Sequence, residues 1–181
     1  MKVEAWRPVR PLEKELFGDD ESSAFAVLDG ASVPDLPELL HEFQPGHECL
    51  YRGELKPDMA EVAPYLIRLE KGSPFTEEVL SRGWGQHWGI FALTAIDLAG
   101  LRRHLRKFLI VHDSDGKPLY FRYYDPRVLR VYLPTCNAEE LKTVFGPVSS
   151  YVVEDEDPAS LLRFRFDGVQ LQTDKHLLRE D

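Results

Sequence analysis

Cysteine is scarce in this chain, and so is every pattern that would announce a cofactor. Two cysteines, Cys49 and Cys136, among 181 residues make neither a disulfide framework nor a metal motif, and without a secretion signal they read as reduced thiols of a cytoplasmic protein. No window approaches the ~18–20 apolar residues of a membrane span. The amino-terminal MKVEAWRPVRPLEKELF has no apolar run of signal-peptide length. No serine stands in Gly-x-Ser-x-Gly, and RGWGQHWG, the best glycine-rich candidate, lacks the spacing of a dinucleotide or phosphate loop and its terminal Lys-Ser/Thr. His87, His104 and His112 contain no i, i+4 zinc pair, and DSDG at 113–116 lacks the downstream glutamate of a calcium loop. These absences leave no catalytic residue, metal or cofactor to assign. An excess of positive charge is missing as well: 22 basic against 31 acidic side chains give −9, which argues against nucleic acid or an anionic membrane as a chain-wide partner.

What is present is the composition of an ordinary folded domain. At 43% hydrophobic and 29% charged residues, the chain has enough apolar mass for one good core. Apolar runs at 24–28, 64–70 and 87–94 have strand length, and each is bounded by turn or helix signals. Ser73-Pro74 opens a helix that Gly83 closes, and Leu98, Leu101, Leu105 and Phe108 form one helical stripe. Ser114-Asp115-Gly116 marks a hairpin between FLIVHD and KPLYFRYY. The strand-like SSYVVE and LLRFRFDGVQLQ come last, followed by DKHLLRED, which reads as a polar tail or short helix. The expected fold is α+β, a mixed β-sheet flanked by helices. Residues 1–23 read as a loose arm or short helix and 24–148 as the main domain. The strand pair and tail at 149–181 are compatible with a small lobe.

The densest stretch is FRYYDPRVLRVYLP, residues 121–134. Asp125-Pro126 has the form of an N-cap followed by proline at the first helical position. Val128 to Leu133 is apolar nearly all round, which a helix tolerates only when buried in a core or against another protein. Residues 97–130 hold eight basic and four acidic side chains, a local charge of +4 that leaves −13 for the remainder. Arg102, Arg103, Arg106, Arg122, Arg127, Arg130 and Tyr132 are therefore the candidate partner-binding residues. A solvated helix face and a surface meeting an acidic protein segment are both compatible with this pattern. So is an internal role in which Arg106, Arg122 and Arg127 pair with Asp125 or neighbouring carboxylates. An enzymatic reading rests only on Asp113, Asp115 and Asp125 clustering in sequence with Arg and His.

Taken together and in order, FAVLDGA (25–31), CLYRGEL with APYLIRL (49–69), WGIFALT leading to LRRHLRKFLIV (88–111), DGKPLYFRYYDPRVLRVYLP (115–134) and FGPV (145–148) carry a resemblance. They resemble the small adaptor chaperones of bacterial type VI secretion, a family catalogued as a domain of unknown function. The resemblance spans roughly 24–148, and its most specific part is the His104-Leu105-Arg106 helix with Phe121-Arg122, Tyr124 and Asp125-Pro126-Arg127. It implies a cytoplasmic non-enzyme that binds a toxic effector protein and helps load it onto the spike-tip (valine-glycine repeat) protein. An immunity-type inhibitor of a toxin, and less readily a phosphoester-handling enzyme, are the alternatives.

Overall fold

The apolar runs are strands buried on both faces. The computed structural model describes residues 8–179. Its main sheet is built from β1 (Ser23–Asp29), β2 (His47–Cys49), β3 (Pro64–Arg68), β4 (Gly89–Thr94), β7 (Val148–Glu154), β8 (Ser160–Phe166) and β9 (Leu171–Leu177). Phe25 and Val27 of β1 enter one core together with Ile90, Ala92, Tyr151 and Val153. Their neighbours Ala24, Ala26 and Leu28 enter a second core with Phe91, Leu93 and Val152. Because successive side chains point to opposite faces, a strand covered on both sides loses its polar alternation and reads as a continuous apolar run.

Helices cover each face. On the first lie α5 (Leu98–Leu105), α6 (Pro126–Tyr132) and α7 (Ala138–Phe145), which contribute Leu101, Leu105, Leu129, Leu141, Val144 and Phe145. On the second lie α1 (Val9–Leu16), α2 (Leu36–Phe43) and α4 (Pro74–Glu78), with Leu12, Leu16, Leu36, Leu40 and Phe75 inside. The short α3 (Pro57–Val62) buries no residue. Of the segment read as a loose arm or short helix, residues 9–16 form α1, while residues 1–7 lie outside the described residues.

The fold is α+β, but the sheet is antiparallel throughout its registered pairings rather than mixed. The order β2-β3-β1-β4-β7-β8-β9 explains why the sequence suggests otherwise. β1 and β2 point the same way, as do β3 and β4, so the strand–helix–strand units do make crossovers. In each case a strand from elsewhere in the chain is inserted between the two. β7, β8 and β9 extend this same sheet. Of DKHLLRED, residues 174–177 are not helix or free tail but complete β9, paired with β8 from Phe166↔Leu171 to Ser160↔Leu177, while residues 180 and 181 lie outside the described residues. Cross-strand pairing overrides the polar composition there.

Local signals act where they stand. Ser73 Oγ accepts the Thr76 N–H, and Asp125 Oδ1 accepts the Arg127 N–H at 2.9 Å. Asn137 and Glu140 form a reciprocal capping box on α7. β5 (Ile110–His112) and β6 (Pro118–Tyr120) form the hairpin, and Gly116 takes φ +78° at its tip.

Candidate partner-binding site

Most of the motif arginines have hydrogen-bond partners within the chain, although Arg122 and Arg127 remain exposed. Arg106 donates to three backbone carbonyls at and just after the end of β2: Nε to Leu50 (3.0 Å) and Nη2 to Cys49 (3.1 Å) and Tyr51 (2.7 Å). Arg102 donates to the Cys49 carbonyl and pairs with Glu48 at 3.2 Å. Arg122 pairs with Asp29 at the end of β1, a carboxylate that also accepts the Ala31 N–H and the Ser32 hydroxyl. That hydrogen bond is the main reason the Arg122 pKa is raised. Arg127 grips Asp125 in bidentate fashion, at 3.0 and 2.8 Å. Burial pushes the Asp125 carboxyl up, but these bonds outweigh it and hold the group below its ordinary range.

Arg130 donates to the Glu154 carbonyl at 3.1 Å. The Glu154 carboxylate in turn accepts from the Gly85 N–H and from His87. Tyr132 packs edge-on against Phe121 at 4.8 Å, and burial first, then Cys136, pushes its phenol up to about 12. Arg103 alone of the seven candidates is exposed without a polar partner among the described residues. The apolar segment 128–133 is buried through Leu129 and Leu133, whereas Val131 is 67% exposed. Asp113 Oδ1 accepts the Asp115 and Lys117 N–H groups in the hairpin turn, while Asp125 caps α6. Among the described residues no three His, Cys, Asp or Glu side chains converge as a metal site.

The fold also leaves apolar surface uncovered. A groove of ≈ 400 Å³ runs between the 50–59 segment and the hairpin, with Tyr51, Met59, Leu109, Ile110 and Tyr120 among its walls. Arg106 shapes one wall by fixing the carbonyls of residues 49–51, and the Tyr51 and Tyr120 rings meet at 5.5 Å. All six strand residues of the hairpin are exposed, with Ile110 at 49% and Tyr120 at 63%. Three cations, Arg52, Arg106 and Lys107, line the groove, and no carboxylate does. Desolvation, followed by the like charges of Arg102 and Arg52, lowers the Arg106 pKa. The arrangement offers apolar contact area beside three cationic side chains.

Comparison with protein families matches residues 24–143 to a domain of unknown function, DUF4123. That is well over half of the chain. The chain belongs to the DUF4123 family. No curated protein and no solved structure matches it. The DUF4123 span runs from within β1 to within α7, so both walls of the groove and all seven candidate residues lie inside it, and β7, β8 and β9 lie beyond it. None of the helices among the described residues is long and apolar enough to cross a membrane.

The sequence pointed to Arg106 but not to Arg52, Met59, Lys107, Ile110 or Tyr120 as its companions. The hairpin is legible from its turn, and its exposure is not. The only clue was composition: apolar side chains occur at successive positions of two very short strands, more than one face can use.

Proposed function

We propose that this DUF4123 chain is an effector-specific adaptor chaperone of type VI secretion. It binds a toxic effector protein in the cytoplasm of the producing cell and helps load it onto the spike-tip protein. The observation that carries this reading is the solvent-exposed apolar hairpin beside a groove whose charged lining residues are all cations. Exposed apolar patches of this kind mark sites of protein interaction. Family membership is consistent with it, as is the use of Arg106 to fix the carbonyls of residues 49–51 beside the groove. In this reading the chain performs no covalent step.

The experiment is co-expression of the chain with a candidate toxin encoded in the same gene neighbourhood. An adaptor co-purifies with the full-length toxin through its delivery region, and deleting the adaptor gene abolishes secretion of that toxin alone. Protection of cells from the isolated catalytic domain would favour the inhibitor reading instead. Turnover of a phosphoester panel by the purified chain would overturn both.

A further inference from the structure

The groove has chemistry specific enough to define its occupant. In β5 and β6 the register pairs Ile110 with Tyr120 and Val111 with Leu119. Successive pairs face opposite sides of the ribbon, and Ile110 and Tyr120 line the groove. A two-stranded hairpin with three residues per strand is marginal by itself in water. This one is anchored at its base, where the Phe121 N–H donates to the Leu109 carbonyl at 2.9 Å. Its exposed apolar pairs therefore contribute nothing to the two cores and are available to another chain.

The volume of ≈ 400 Å³ falls in the range of sites that enclose one small ligand or a few side chains. It takes a short segment of a partner, not the face of a domain. Sign of charge narrows the choice further. Arg52, Arg106 and Lys107 line the groove together with Met59, Ile110 and Tyr120 and without a lining carboxylate, so a segment that combines acidic with apolar side chains satisfies both. A second copy of this chain is a poor occupant, since each copy carries −9 overall and like net charge opposes association.

We propose that the groove between residues 50–59 and the β5–β6 hairpin seats a short acidic segment of the effector that carries apolar side chains. Its identification as an effector segment rests on the adaptor reading; the acidic and apolar chemistry does not.

The test uses the full chain and a displayed library of short random peptides. The expected enrichment is for Asp or Glu next to Leu, Ile, Phe or Tyr, with binding that weakens as salt rises. Affinity of an enriched peptide, read by fluorescence anisotropy, should fall at least about tenfold in the Ile110→Glu, Tyr120→Glu double variant, and also in Lys107→Glu. Val169→Glu, at an apolar position 74% exposed elsewhere, should leave it unchanged. All these positions are exposed, so melting temperatures should match the parent. Enrichment of neutral or basic peptides, or binding indifferent to the groove variants, would overturn the proposal. So would self-association, or capture of anionic vesicles, that the same variants abolish. The candidate toxin separates the two readings. If it binds parent and double variant alike, the groove assignment falls and the adaptor reading stands. If no toxin binds the parent but acidic peptides still require the groove, the adaptor reading falls and the groove chemistry stands.

Discussion

Arg122 reaches across 93 residues of sequence to Asp29, whose side chain is 2% exposed. Removing the guanidinium leaves a buried carboxylate with only the Ala31 N–H and Ser32 hydroxyl as donors. Arg122→Ala is expected to cost about 1–3 kcal/mol, less than breaking a fully buried pair because Arg122 is half exposed. Urea denaturation checks this, and an unchanged midpoint would show that Asp29 does not depend on Arg122. His104 makes the opposite kind of demand. It is buried, and its Nε2–H donates to the Val144 carbonyl at 2.9 Å. Desolvation, with the nearby Lys107 charge, lowers its pKa against the opposing effect of that bond. The folded imidazole thus takes up its proton at lower pH than the unfolded one, whose value is about 6.5. The His104 contribution is full above that value and is lost as pH falls through it toward the folded value. Denaturation midpoints at pH about 7.5 and about 5.5 should therefore differ more for the parent than for His104→Gln, which retains a donor but does not titrate. Gly146 sits against this ring at φ +46°, where an added Cβ would lie 2.5 Å from His104 Cε1.

Helix α6 shows how one residue serves an element. Asp125 satisfies the Arg127 N–H at the helix start and also holds the Arg127 side chain. Asp125→Ala removes both functions and is expected to cost about 1–2 kcal/mol, the usual magnitude for a lost N-cap. Arg127→Ala removes only an exposed ion pair and should cost less than about 1 kcal/mol. Thermal melts of the two variants check that order, and a larger loss for Arg127→Ala would contradict it. The cap and the proline were legible in the sequence because both act on backbone within two residues. The amphipathic side of α5 was legible for the same reason. The partners of its arginines were not, because the Cys49, Leu50 and Tyr51 carbonyls lie more than 50 residues away in sequence.

Among the described residues a seven-stranded sheet lies between two helical layers, with the β5–β6 hairpin a separate sheet, and the strand order makes β4 depend on the segment that follows α7. β7 pairs with β4 from Phe91↔Val152 to Thr94↔Val148, and Tyr151, Val152 and Val153 are fully buried, split between the two cores. A chain truncated after Gly146 retains the whole DUF4123 span but leaves one edge of β4 and part of both cores open. It is expected to lose cooperative unfolding and to bind hydrophobic dyes, while the full chain unfolds in one transition. A sharp melt of the truncated chain would show that residues 24–143 fold alone.

The sequence by itself determined the α+β class, the caps of α4 and α6, the hairpin turn at 114–116, the absence of a recognisable cofactor motif and the family resemblance. Each depends on residues close together in the chain or on composition. Only the tertiary structure decided that the strands are antiparallel, that β9 is a strand, that most of the motif arginines bond within the chain and that an apolar hairpin is left facing solvent. Those outcomes depend on which distant segments come to lie side by side, and sequence periodicity reports which residues share a face but not what covers it.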